Sequence, residues 1–445
     1  MIRLFFLFIQ LALLVFFASI IVNYSYPIAI TFNEIILSTS TSTIIFFIVA
    51  VVFLILFIQR IIFFLRQRIF QFKFNRQKGN YEKGYYAFTQ GMIALANKDY
   101  RRAIQENKKV SFHLKDESLS LLLKSETLKI EKKYNELEKV YEAMLQNKNT
   151  KILGLKGLMK QNLYAQDYHH AFIYGEKLFN QNHQIDKLYD TLVNIISKTN
   201  NWQKLIQISE KAFKFKLINK EVYSIDKSIA LYEISKIKMH SEMSESINLI
   251  EKSLKLRQYF PPYINLYIDL LIADNKFSKA KKILQKAWLN SPHPDYKIKI
   301  KLLSNKMKIS FFQLAEFVIG SSKKVSESKI LLAESLIDDQ KWGEARKQLN
   351  TLLEHKPSKK VCLLMSKIEE GDSNDPQKIN AWISRSNFGD LNKIWICRIS
   401  NISQEKWTSV SDSGYFNSLE WKKPTGISQL QSSNIETNII NYINN

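Results

Sequence analysis

Tyr267 to Pro292 reads YIDLLIADNKFSKAKKILQKAWLNSP. Its first half is apolar and ends at the polar turn Asp274-Asn275-Lys276. Its second half opens on Phe277, carries Ala280 and Ala287, and closes on Pro292. This pattern predicts two antiparallel helices joined by a short turn, with the small Ala280 where the helices approach. The same aromatic or apolar position recurs at Tyr100, Tyr134, Tyr168, Trp202, Met243, Phe277, Phe311 and Trp342. Most of these residues stand 34 positions apart. Three residues after each comes Ala103, Leu137, Ala171, Leu205, Ser246, Ala280, Leu314 or Ala345. The longer interval before Met243 predicts an elongated helix near Glu221 to Met239.

A helix pair repeated every 34 residues is the tetratricopeptide (TPR) unit, whose copies stack into a solenoid. Tyr100, Tyr134, Tyr168, Trp202, Phe277, Phe311 and Trp342 are therefore read as repeat-packing anchors, not as a cofactor box. Stacked first helices line a concave groove, and Tyr85, Phe88 and Met92 of the first repeat are candidates to face it, or to pack against a membrane-proximal helix. Twelve glycines and eight prolines in 445 residues also favour long helices over turns and strands.

Two uncharged apolar runs precede the repeats, Leu4 to Val22 and Leu37 to Gln59. Each is long enough to cross a hydrocarbon core of roughly 30 Å. The loop between them, Asn23 to Ile36, has no Lys or Arg and one acid, Glu34, and its Ile28 to Phe32 stretch is β-rich. Beyond the second run come Arg60, Arg66, Arg68, Lys73, Arg76 and Lys78 without an acid. Basic residues stay on the cytoplasmic side, so a two-span hairpin with both ends in the cytoplasm is expected. The aromatic residues among these cations suit an interfacial helix, with Arg60, Arg66, Arg68, Lys73 and Arg76 facing anionic lipid.

The formal net charge is +23, but the lysines are spread over the whole chain and read as solvated helix faces. No nucleic-acid motif accompanies them, so no nucleic-acid partner is expected. Two cysteines, Cys362 and Cys397, exclude a disulfide framework. There is no glycine-rich phosphate loop, no H-E-x-x-H and no nucleophile elbow, so no catalytic residue, cofactor or metal is assigned. The seven histidines are scattered: the adjacent His169 and His170 are read as solvent-facing, and His293, in a turn between Pro292 and Pro294, as a poor candidate for haem ligation. Trp395 to Pro424 differs from the repeats: three tryptophans among polar residues predict a small β-module.

The expected architecture is all-α. Residues 1–59 form a transmembrane hairpin, 60–83 a basic aromatic juxtamembrane helix and 84–390 the TPR-like repeats. Residues 391–424 form the small module and 425–445 a disordered tail. In its hairpin, its Gly91-Met92-Ile93-Ala94-Leu95 and Asp99-Tyr100 segments, and its ending Trp407 … Ser413-Gly414-Tyr415-Phe416-Asn417-Ser418-Leu419-Glu420-Trp421, the chain resembles the HemY family of proteobacterial inner-membrane proteins. In many relatives this ending is a zinc ribbon with two C-x-x-C pairs. The matching positions here are Cys397 and Ser400, Val410 and Ser413, and one thiol does not make a tetrahedral zinc site. The resemblance implies a non-enzymatic, membrane-anchored scaffold or regulator in a late step of protohaem synthesis, with late haem-synthesis enzymes as partners. It leaves porphyrin binding open. The family shares its name with a flavin-dependent protoporphyrinogen oxidase, whose G-x-G-x-x-G fingerprint is absent here. The alternative is a TPR adaptor for envelope or lipopolysaccharide assembly, acting on a membrane protease or lipid-synthesis enzyme.

Overall fold

The computed structural model describes residues 16, 19–20, 26–32, 35–114, 117–181, 184–354 and 356–424. The first apolar run lies largely outside these residues, and the 425–445 tail lies wholly outside them. Two units are distinguished, residues 1–131 and 132–445. Eighteen helices lie among the described residues, and the chain is all-α apart from two small sheets.

In the first unit, β1 (Pro27–Phe32) and β2 (Ile35–Ser40) pair antiparallel from Pro27↔Ser40 to Phe32↔Ile35. The hairpin leads into α1 (Thr41–Ala96). Its junction is tied by the Tyr26 amide, which donates to Thr41 Oγ1 at 2.8 Å, and by the Thr41 amide, which donates to the Tyr26 carbonyl at 3.0 Å. The second apolar run therefore does not begin its helix at Leu37. Leu37 to Ser40 belong to β2, where they pair with Ile30 to Pro27.

α1 has 56 residues, about 84 Å at 1.5 Å per residue. It is the one helix among the described residues long and apolar enough to span a membrane, and the apolar part is unburied. No separate juxtamembrane helix exists at 60–83. The apolar segment, the basic aromatic stretch and the first helix of the first repeat are continuous, because no proline interrupts them. Gly84, Ala87, Gly91, Ala94 and Leu95 form the buried stripe of its last turns. They pack on α2 (Tyr100–His113) and α3 (Glu117–Ile130). A Cβ on Gly84 would stand 2.4 Å from Leu114 Cγ, and one on Gly91 2.5 Å from Leu123 Cδ2, so glycine permits this approach.

The second unit holds α4 (Tyr134–Gln146), α5 (Lys151–Tyr164), α6 (Tyr168–Gln181), α7 (Leu188–Thr199), α8 (Trp202–Lys214), α9 (Lys220–Lys238) and α10 (Met243–Leu256). It continues with α11 (Pro261–Ala273), α12 (Phe277–Asn290), α13 (Tyr296–Met307), α14 (Phe311–Ile319), α15 (Ser326–Asp338) and α16 (Trp342–Asn350). A last helix pair follows, α17 (Lys359–Asp372) and α18 (Pro376–Asn387). From α4 to α18 each helix packs on the next, and α9 is the elongated helix expected before Met243.

Every anchor is the first residue of a second helix, in both units. Two residues before six of them stands a residue with positive φ: Lys98, Lys132, Gln166, Asn200, Asn275 and Gln340. One left-handed residue ends the preceding helix and reverses the chain. At Asp99 and Asn201 the next side chain caps the new helix by accepting from the amide of Arg102 or Lys204. The packing position proper is three residues beyond the anchor, where all eight residues are buried. The anchors themselves vary. Trp202 and Phe311 are buried, whereas Tyr134 is 53% exposed, so it does not act as a core anchor.

Candidate functional site

The C-terminal module is the three-stranded antiparallel sheet β4-β3-β5, with β3 at Ile394–Cys397, β4 at Ser403–Gln404 and β5 at Leu419–Lys422. It is not a free-standing appendage. Trp395, Cys397, Trp407, Tyr415 and Leu419 share one buried core with residues of α9 to α15. Trp407 meets the rings of Phe260, Tyr232 and Tyr263 at centroid distances of 5.1, 5.6 and 5.9 Å. Trp395 meets Phe260 at 6.1 Å and Trp421 at 5.2 Å. The helices its Trp407 meets, α9 and α11, are the first helices of their pairs, so the module occupies part of the face expected to form the groove.

His293 lies beneath this cover, 4.3 Å from Trp421 and 5.8 Å from Trp395 between ring centroids. It is buried, because the module folds back over its turn. Its Nδ1 stands 3.5 Å from Asp295 Oδ2. Burial, with Lys393 adding, lowers the imidazole pKa to about 4, so this contact is no ion pair at neutral pH. His169 and His170 are exposed, and His170 Nδ1 meets Asp167.

The ribbon positions do come together in part. Ser400 and Ser413 share an Oγ···Oγ hydrogen bond of 2.6 Å. The Ser400 amide donates to Cys397 Sγ at 3.5 Å, and the thiol donates to Ser418 Oγ at 3.3 Å. The donor set does not fit zinc: one thiol and two hydroxyls bonded to each other, with no donor on Val410. Purified protein should carry no stoichiometric zinc by elemental analysis, and a chelator should leave its Tm unchanged. One zinc per chain would contradict this.

Beside the module lies a pocket of about 480 Å³, within the range of small-ligand sites. Its walls come from α7, α9, Tyr168 and the module turns at Arg398 and Gly414 to Asn417. Asp226 is its most enclosed charge, 6% exposed. Tyr189 Oη donates to Asp226 Oδ2 at 2.6 Å and also meets Ser209 Oγ at 3.1 Å. Burial, with the nearby Asp190 carboxylate adding, raises the Asp226 pKa to about 6, although the Tyr189 bond opposes the shift. Lys198 Nζ donates to Tyr168 Oη at 3.0 Å and lies 4.8 Å from that ring's centroid.

The sign of the Asp226 shift gives a pH test. Between about pH 4 and 6 the folded state holds a proton that the unfolded chain has released, so stability falls as pH rises through that window. Asp226→Asn removes the penalty while keeping an acceptor for Tyr189. It should stabilise the protein by about 1–3 kcal/mol at pH 7.5 and by little near pH 4 in denaturant titrations. An equal difference at both pH values would assign the effect to something other than ionisation.

Of the residues singled out in the sequence, Arg60, Arg66, Arg68, Lys73 and Arg76 all stand exposed on α1. Arg68 lies 5.4 Å from the Phe64 ring centroid. Tyr85 and Met92 are exposed on the same helix, while Phe88 packs against the core of the first repeat, so the three do not form one surface. The sequence did not single out Tyr189, Asp190, Asp226 or the module turns. An acid beside Ile225, Ser228 and Ile229 was the available signal for Asp226.

No curated protein matches the chain. Among solved structures, the TPR2AB-domain:pHSP90 complex of yeast Sti1 is 12% identical at a TM-score of 0.30, covering 69% of this chain and 99% of that one. Naa15/Naa10 bound to HypK-THB is 14% identical at 0.36, covering 69% and 56%. A tetratricopeptide repeat protein from Parabacteroides merdae is 12% identical at 0.26, covering 56% and 98%. These likenesses are too distant to carry more than the helical-repeat fold seen directly here. Residues 27–131, from the first strand of the hairpin to just past the end of α3, match the family model described as HemY protein N-terminus.

Proposed function

We propose that this protein is a non-enzymatic, membrane-anchored TPR scaffold that acts in a late step of protohaem synthesis by holding partner proteins at the inner membrane. The observation that carries the scaffold reading is the continuity of α1, which makes the apolar segment and the first repeat one helix. A repeat array on such a rod is confined to the membrane surface, and confinement raises the effective concentration of whatever it binds. The cation-rich stretch from Arg60 to Arg76 then lies where anionic headgroups would meet it, and its position after the apolar segment supports a cytoplasmic side for the repeats. The haem assignment rests on the match of residues 27–131 to the HemY model.

The test is porphyrin and haem profiling of a deletion strain, with the protein's membrane level checked in complemented strains. Deletion should alter porphyrin pools, and a Cys397→Ala variant should restore them, since Cys397 has no companions for catalysis. Normal porphyrins with altered envelope lipid would overturn the haem reading and favour the envelope adaptor.

A further inference from the structure

The pocket beside the module is lined by charges of both signs. Asp190, Glu221 and Asp226 stand on α7 and α9, while Lys198 and Arg398 come from the other end of α7 and from the module. None of the five takes part in an ion pair among the described residues. Elsewhere acids on these repeats are commonly paired, as Glu176 is with Lys204, Glu251 with Lys279 and Asp269 with Lys299. The two signs are also separated in space. Asp190 lies in the first turn of α7 and Lys198 in its last, about 12 Å apart along the axis at 1.5 Å per residue. The module closes the Lys198 end: a Cβ on Gly414, whose φ is +80°, would stand 3.7 Å from Lys198 Nζ. The remaining walls combine apolar side chains such as Val193, Val222 and Ile225 with the polar Thr191, Asn194 and Asn417.

We infer that this pocket binds a short free peptide in extended form, its amino terminus at Asp190 and Asp226 and its carboxylate at Lys198. The dimensions fix the length. An extended chain advances about 3.3 Å per residue, so three or four residues span the slot. The two ends set the polarity. An ammonium relieves the crowded carboxylates, a carboxylate supplies the missing counter-charge for Lys198, and Asn194 offers both a donor and an acceptor to a peptide group. A purely anionic ligand would meet three carboxylates, and a purely cationic one would leave Lys198 and Arg398 unmatched. The site needs no haem-synthesis role and stands or falls separately from it.

The test is calorimetry on the full chain in detergent with the tetrapeptide Ala-Leu-Leu-Ala in three forms: free, N-acetylated and C-amidated. Each cap should weaken binding at least tenfold. Lys198→Ala should bring the free and amidated peptides together. Asp226→Asn, or Asp190→Asn at the more exposed position, should do the same for the free and acetylated peptides. The surface variant Lys282→Ala should bind as the parent does. Three forms binding within twofold of one another would overturn the proposal, as would no binding of the free peptide at millimolar concentration.

Discussion

Trp407→Ala should cost about 3–5 kcal/mol, a large share of the stability of a repeat domain. The indole is 6% exposed and stands among the rings of Tyr232 on α9, Tyr263 on α11 and Phe260, which caps the start of α11. Its Nε1 has no hydrogen-bond partner, so the loss is one of packing and burial, without a broken bond. Truncation leaves a cavity walled by rigid rings that cannot collapse far. Denaturant midpoints of the variant and the parent at one pH measure the difference. A change below about 1 kcal/mol would mean that the module rests only loosely on the repeats.

The repeats were legible because their signal is local. A turn with one left-handed residue, an anchor at the next helix start and a small or apolar residue three positions on all lie within six residues of each other. Asn275, Phe277 and Ala280 show the pattern, and Gln340, Trp342 and Ala345 repeat it. Tyr134 shows its limit. The position begins a helix as the register requires, yet exposure depends on what packs above it, which the spacing does not encode. The hydroxyl-rich stretch Ser38 to Thr43 was ambiguous for another reason. It is uncharged like the span that follows, and strand pairing with Pro27 and its neighbours decides where the helix starts.

Ala280→Trp should damage the array by about 1–3 kcal/mol or more, with Lys282→Ala nearly silent. Ala280 is fully buried within the main core, where α11 and α12 approach, and an indole cannot be housed without parting the two helices. Lys282 sits two residues on, away from the Ala280 face of α12. Thermal unfolding of both variants checks the register. Equal Tm values would place Ala280 at the surface.

The candidate site was far less legible. Its parts come from α7, α9 and a module some 190 residues later, and only the folding-back of the chain brings Asp226 and Gly414 to one pocket. His293 illustrates the same gap. Between two prolines it reads as a turn residue, and the tryptophans of β3 and β5 that pack on it lie about 100 residues further along the chain.

The claim on which the rest depends is that module and repeats form one cooperative structure. Native-state hydrogen exchange on the full chain in detergent measures this directly, comparing the amides of Cys397 and Arg398, bonded to Ile402 and Ser418, with those of α11. Both sets should show the same opening free energy and the same dependence on denaturant. Module amides that exchange through a separate, smaller opening while α11 stays protected would contradict it.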